Sequence, residues 1–218
     1  MSAPIGPETA IFKMEPGEVL KQAIYTAASI LRAGGLVLYP TETFYALGAI
    51  PEFAQAVQKV FEAKGRDVRK PLPLIASDIQ AVLTAASEWP QSADVLARSF
   101  WPGPLSIVVS AAASLPSVLH AQTGKVALRI SSHPVASLLA RASGGLIVST
   151  SANRAGEPPP KDRGAIDREL LHAVDALLDA GELPGGLAST IVDVTVHPAV
   201  LIRAGKIAWE DIRRVLEG

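Results

Sequence analysis

There is no cysteine among the 218 residues. That absence excludes a disulfide framework, a thiolate nucleophile and any cysteine-based metal site. No apolar run approaches the roughly 20 residues of a membrane-spanning helix. The opening residues, MSAPIGPETA, have neither the charged start nor the apolar centre of a secretory signal. A cytoplasmic protein without a membrane partner is the expectation. Charge of one sign is missing too, since 20 Lys and Arg face 21 Asp and Glu for a net charge of −1. A general polyanion binder is disfavoured, and any nucleic-acid contact has to use a local patch. Common catalytic signatures are missing as well: no G-x-x-x-x-G-K-[ST] loop, no G-x-G-x-x-G after a strand and no G-x-S-x-G elbow. The four histidines, His120, His133, His172 and His197, lack metal-ligand spacing and read as surface or capping residues.

What is present is apolar. Hydrophobic residues make up 49% and mean hydropathy is +0.29, which permits a large core and argues against disorder. The length suits one domain over residues 17–218, behind a loose lead-in at 1–16, with no repeat and no internal linker. Leu20, Ile24, Ala27 and Leu31 recur at helical spacing between Gly17 and Ala33. Pro73 marks a strand at Leu72–Ala76 as an edge or bulged one, because proline cannot donate to the ladder. Asp78 caps a helix to about Ala86, Ser92 caps another ending before Trp101, and Pro134 opens a third through about Arg141. Apolar runs at Leu105–Val109, Val126–Ile130, Leu146–Val148, Ala176–Asp179, Thr190–Val194 and Val200–Arg203 read as strands, the last two paired across His197-Pro198. Ile166–Ala173 and Trp209–Leu216 read as helices, while Ala111–Thr123 and the proline-rich 154–164 read as loops. Such interleaving predicts an α/β (α+β) fold: a twisted, mixed open sheet with flanking helices.

One stretch, Tyr39 to Asp78, organises the rest. The apolar run Leu36–Tyr39 stops at Pro40, and Thr41, Thr43 and Tyr45 then crowd around one acid, Glu42. A helix follows, with Phe53, Val57, Val60 and Phe61 on one face. It runs into Lys64, Arg66, Arg69 and Lys70, four cations in seven residues answered locally only by Asp67. A charge run is ordinarily a solvated face. Gly65, which permits close backbone approach, and the apolar runs on both sides favour a compact turn and an anion site. Further cations and hydroxyls stand at the ends of other apolar runs: Arg129, Ser149 to Asn153, Ser189-Thr190 and Arg203. Each taken singly is a cap, turn or surface residue. Their repetition at element ends, where α/β proteins hold ligands, is the informative part.

The motifs carrying these residues resemble a known family. PTETFYALG, KGR with a later KPL, STSAN followed by G-x-P, and GLASTIVDV followed by LIRAG stand in the order found in YrdC-like proteins, the threonylcarbamoyl-AMP synthases. The resemblance runs from about Gly17 to the C-terminus. It implies a YrdC-like fold with a concave, positively charged face, in the short single-domain form. It also implies synthesis of threonylcarbamoyl-adenylate and pyrophosphate from L-threonine, bicarbonate and ATP, with Mg²⁺ carried on the ATP phosphates. The product would serve modification of tRNA, through tRNA-modification partner proteins.

By the same resemblance, a catalytic tetrad falls on Lys64, Arg66, Ser151 and Asn153. Nucleotide-binding positions fall on Arg66, Lys70, Ser149, Ser151, Asn153 and Arg203, and threonine-binding positions on Thr41, Arg129 and Ser189. No protein metal ligand is implied. The residue types suit a reaction that needs positioning and charge neutralisation more than a protein nucleophile. Arg129 could grip a carboxylate in bidentate fashion, which a lysine imitates poorly. Ala46, Ala155 and Ile75 depart from the family's usual glycine, serine and histidine. Two alternatives share the fold: a factor binding double-stranded RNA or tRNA through the basic face, and a YciO-like relative with little synthase activity, although such relatives tend to lack the KGR retained here.

Overall fold

A computed structural model describes residues 9–14 and 17–218. Its first strand, β1 (Ala10–Lys13), lies within the stretch expected to be a loose lead-in, the remainder of which falls largely outside the described residues. Helix α1 (Glu18–Arg32) buries Ala23, Ile24, Ala27, Ala28 and Leu31 along one stripe. Strands β2 (Val37–Pro40) and β3 (Tyr45–Gly48) form an antiparallel hairpin around the hydroxyl-rich turn. Helix α2 (Ala54–Lys64) buries Val57, Val60 and Phe61, whereas Phe53 precedes its first turn and is exposed. Strand β4 (Leu74–Ala76) leads to α3 (Ile79–Ala85), whose Ala81 N–H donates to the Asp78 carboxylate at 3.0 Å. Helix α4 (Gln91–Phe100) is preceded by Pro90, whose carbonyl accepts the first turn's N–H groups, so Ser92 lies inside the helix and is not its cap.

Strands β5 (Leu105–Ser110) and β6 (Lys125–Ile130) pair antiparallel. Helix α5 (Pro134–Ala142) starts on its proline with His133 as the cap. The segment after it supplies β7 (Leu146–Val148) and β8 (Thr150–Ser151). Helix α6 (Arg168–His172) is shorter than the periodicity predicted, because a 3-10 turn at Arg163–Ala165 precedes it. Strands β9 (Ala176–Asp179), β10 (Thr190–Asp193) and β11 (Val200–Arg203) and helix α7 (Trp209–Glu217) complete the chain.

The single sheet expected is resolved into two. One runs β1-β9-β2-β3-β8, the other β11-β10-β5-β6-β4-β7. They meet at residues 146–151, where β7 edges one sheet and β8 the other. Between them the Ser149 N–H donates to the Pro73 carbonyl at 2.8 Å, and the Val148 N–H to Ala49 at 2.9 Å. Strand β4 is internal, parallel to β6 and antiparallel to β7, and not the edge that Pro73 suggested. Its ladder begins at Leu74, so the N–H that Pro73 lacks is never required.

Side chains alternate across the second sheet. Leu105, Ile107, Val109, Val126, Leu128 and Val192 enter the larger core with α2, α3, α4 and α7. On the opposite face, α1 and α5 pack over Ile75 and Ile147, together with Val37 and Tyr39 of the first sheet. Further along that face, Ser106, Val108, Ala127, Arg129, Ser189 and Ile191 line an open cavity. Burying a leucine or isoleucine there would contribute about 1.5–3 kcal/mol each. The sheet forgoes that burial over β5, β6 and β10, and this bare patch positions the site.

Candidate active site

The cavity has a volume of about 620 Å³, within the range of small-molecule sites. Thr41, Thr43 and Ser151 reach it from the first sheet; Ser106, Arg129, Ser149, Ser189 and Arg203 reach it from the second sheet and its junction. Arg66 and Asn153 complete the polar wall from the turns after α2 and β8. Residues up to 162 positions apart in sequence thus face one hollow.

Three guanidinium groups dominate it. Arg66 donates through Nη2 to the Pro71 carbonyl at 3.0 Å and through Nε to Lys70 at 3.3 Å. Arg203 donates to the Ser189 carbonyl at 2.8 and 3.0 Å and to the Ser189 hydroxyl at 2.9 Å. Neither forms an ion pair with a carboxylate among the described residues. Burial holds both below the usual arginine range, and the charge of Arg66 adds to the effect on Arg203. Uncompensated cations beside one another in a part-buried hollow make a field that favours an anion.

Arg129 is handled differently. It is 7% exposed, and burial pulls its guanidinium down to about 10, still cationic at neutral pH. Its Nη1 ion-pairs with Glu42, whose other oxygen accepts from the Ser131 hydroxyl, while Nη2 turns toward Ser149 Oγ at 3.5 Å. The carboxylate fixes one side of the fork and leaves the other at the cavity wall. Thr41 Oγ1 donates to the Phe44 carbonyl at 2.7 Å and lies 3.3 Å from Thr43 Oγ1, which sets the hydroxyl turn. The Ser106 and Ser189 hydroxyls lie 3.2 Å apart on neighbouring strands.

Lys64 is not on the cavity wall. It is 2% exposed, and its ammonium donates to the carbonyls of Ser151 and Asn153, the latter at 2.6 Å, with Asn153 Oδ1 at 3.4 Å. It clamps the Ser151–Asn153 backbone from behind. Burial, then the charge of Arg66, lowers its pKa to about 7. Gly65 lets the chain turn sharply there: at φ 57 it is left-handed, and the Arg66 N–H returns to Phe61. Lys70 is exposed and stands off the wall, beyond the Asp67–Arg69 ion pair.

A family model described as "Telomere recombination", covering Sua5, YciO and YrdC proteins, matches residues 29–205. The chain belongs to the Sua5/YciO/YrdC family. It is 36% identical over 193 residues to the threonylcarbamoyl-AMP synthase of Pyrococcus abyssi, a match covering 88% of this chain and 57% of that one. It is 37% identical over 208 residues to a putative threonylcarbamoyl-AMP synthase of Mycobacterium tuberculosis, covering 95% of both. The crystal structure of P. abyssi Sua5 complexed with L-threonine aligns with a TM-score of 0.89 at 34% identity, over 96% of this chain and 61% of that one. The chain therefore spans less than two thirds of the Pyrococcus relative and nearly all of the mycobacterial one.

Within this Sua5/YciO/YrdC chain, two of the residues that differ from the usual motif lie next to polar groups of the cavity. Ile75 is fully buried and opposes Arg129 in the ladder, facing the α1 and α5 cluster. Ala46 is buried on β3 at the cavity's edge. Sequence reasoning left Glu42 without a role and missed Ser131, Ser106, Lys125 and Asp193. A signal was there to be read. Lys125, Ala127 and Arg129 alternate along one face of β6, and Ser189, just before β10, alternates with Ile191 and Asp193. Polar residues at period two on a strand otherwise apolar point to a cavity wall.

Proposed function

We propose that this chain is an ATP-dependent L-threonylcarbamoyladenylate synthase, a nucleotidyltransferase acting on threonine, bicarbonate and ATP. One observation carries the reading: Arg66, Arg129 and Arg203 share one cavity with Thr41, Ser149, Ser151, Asn153 and Ser189. Threonine's amine and bicarbonate give a carbamate with loss of water. A carbamate oxygen then attacks the α-phosphorus of ATP, and the bond to the β-phosphate oxygen breaks to release pyrophosphate. Arg66 and Arg203 neutralise the phosphate charge within the cavity. Arg129, braced by Glu42, takes the threonine carboxylate, and Thr41 and Ser189 donate neutral hydrogen bonds to the amino acid. Ser149, Ser151 and Asn153 orient the nucleotide, and Lys64 acts through the backbone it clamps.

Among the described residues, no three His, Asp or Glu side chains converge as a metal cage. Mg²⁺ would be brought in on the ATP phosphate oxygens, where it would offset charge, as nucleotide enzymes commonly arrange. The labile adenylate would pass to partner proteins that transfer its threonylcarbamoyl group to an adenosine in tRNA.

The test is direct. Purified protein is incubated with ATP, Mg²⁺, threonine and bicarbonate, and pyrophosphate and the adenylate are followed by mass. Pyrophosphate release that requires both threonine and bicarbonate is the expected result. Release indifferent to either, or duplex-RNA binding without turnover, would overturn the synthase reading.

A further inference from the structure

Tyr39 is fully buried on β2, packed with side chains of α1 and α5, yet its ring ends in a polar atom. That hydroxyl donates to the Val148 carbonyl, 109 residues away, at 2.9 Å. Burial pushes the phenol's pKa up against smaller opposing effects of Ser149 and Arg129, so at neutral pH it keeps its proton and stays a donor. Val148 ends β7 opposite Leu74 of β4, but both its backbone polar groups turn to the first sheet. The N–H donates to the Ala49 carbonyl, just after β3, at 2.9 Å, and the carbonyl accepts from Tyr39. Ser149 turns back: its N–H donates to Pro73 at 2.8 Å, and its Oγ stands 3.5 Å from Arg129 Nη2. The Tyr39 ring fits only because residue 48 is glycine. A methyl group built at Gly48 would lie 2.8 Å from Tyr39 Cε1, too close for the ring to stay in place.

We propose that Gly48, Tyr39 and the Val148 carbonyl form a strut between the two sheets, and that Tyr39 is a positioning residue that aligns the two substrates with each other. This rests on the synthase reading given above. In that reading each substrate is gripped from both sides of the junction. Threonine meets Thr41 from the first sheet's side and Arg129 from the second's; the nucleotide meets Ser151 from the first and Arg203 from the second. Thr41 stands two residues after Tyr39, and Ser149 one residue after Val148. A slip between the sheets leaves Arg129 and Arg203 together on the second, so the charged grips on both substrates persist. What it shifts are the neutral hydroxyls that aim the carbamate oxygen at the α-phosphorus. Misplacement of reacting groups by about 1 Å can cost about 10²-fold in rate.

Steady-state pyrophosphate release by the full chain, with ATP and threonine varied separately, tests the strut. Each variant is assayed well below its own melting temperature, so that no unfolded fraction dilutes the rate. Tyr39→Phe keeps the ring and removes only the donor. It should lower kcat about tenfold to hundredfold and leave both KM values within about threefold of wild type. Gly48→Ala displaces the ring and should lower kcat in the same way. The double variant should fall no more than about threefold below the slower single one, because both changes break the same bond. Should Tyr39→Phe fail to fold, Gly48→Ala carries the same prediction alone. A normal kcat, a loss confined to KM, or fully additive losses would overturn the strut while the synthase reading stands. If wild type releases no pyrophosphate that depends on threonine and bicarbonate, both fall together.

Discussion

Glu42 shows how a single side chain can matter to a ligand it does not touch. Its carboxylate holds one arm of Arg129 and is itself held by Ser131, so the guanidinium enters the cavity in one orientation. Glu42→Gln should raise the KM for threonine about tenfold to hundredfold, in line with the loss of a charge-assisted hydrogen bond, with little change in the KM for ATP. Steady-state kinetics with each substrate varied separately checks this; an unchanged threonine KM would separate Glu42 from amino-acid binding. Arg66, whose guanidinium reaches the cavity without an ion pair to a carboxylate among the described residues, should behave differently. Arg66→Ala is expected to lower kcat by roughly 10²–10³, the cost of removing one group that stabilises developing charge. Near-normal turnover in that variant would take Arg66 out of the reaction.

Lys64 gives a prediction in pH. Its folded pKa is about 7, and an unfolded lysine titrates near 10.4. Between those values the unfolded chain binds the extra proton, so stability must rise with pH. The gain is complete above the unfolded value and is lost as pH falls through about 7. Urea unfolding at pH 7 and pH 9, compared with Lys64→Met, should show wild type gaining on the order of 1–2 kcal/mol over the variant across that interval. Parallel pH curves would mean that the three carbonyl oxygens around the ammonium keep it charged throughout.

At the scale of elements, the hinge between β11 and α7 supports the site more than its polarity suggests. The Lys206 N–H donates to the Ala188 carbonyl at 2.9 Å, and a methyl group built at Gly205 would lie 2.5 Å from Thr190 N and from the Ser189 carbonyl carbon. Gly205→Ala must push β10 and Ser189 away from Arg203. The expected destabilisation is about 1–3 kcal/mol, the usual cost of overpacking, accompanied by weaker threonine and ATP binding. A thermal melt and the two KM values report both; an unaltered melt would show that the backbone there can yield. Elements of this kind were unevenly legible in the sequence. Pro134 and Asp78 announced their helices because a cap or first-turn proline is a local decision, and the β10–β11 hairpin was readable from adjacent apolar runs. Strand β3 was not. Tyr45–Gly48 is buried on both faces, so it shows no alternation, and its hydroxyl-rich turn reads first as a ligand loop. Strand β1 escaped notice because its partner, β9, lies 166 residues away and only tertiary pairing makes it a strand. The site residues were legible as types at element ends, but which of them reach the cavity depends on packing. Lys64 and Lys70 look alike in sequence, yet one is locked behind the wall and the other stands outside it.

For the molecule as a whole, the cavity lies where two sheets meet, so a ligand filling it bridges both. Thr41 and Ser151 belong to the first sheet's side, Arg129, Ser189 and Arg203 to the second's, and the direct link described between the sheets runs through Ser149 and its neighbours. Ligands that bind only the folded state stabilise it by mass action, by about 2.7 kcal/mol at a hundredfold excess over Kd. In a chain of this length that corresponds to a rise in Tm of roughly 5–10 °C. ATP with threonine should therefore raise Tm by that amount and slow amide exchange in both β8 and β10, not in one sheet alone. Arg203→Ala removes a cation from the second sheet's side and should cut the shift by more than half while leaving the unliganded melt within a few degrees, because the Arg203 guanidinium bonds, among the described residues, only to the Ser189 carbonyl and hydroxyl and lies outside the hydrophobic core. Protection confined to the first sheet would place the nucleotide elsewhere and leave the cluster of guanidiniums without a ligand.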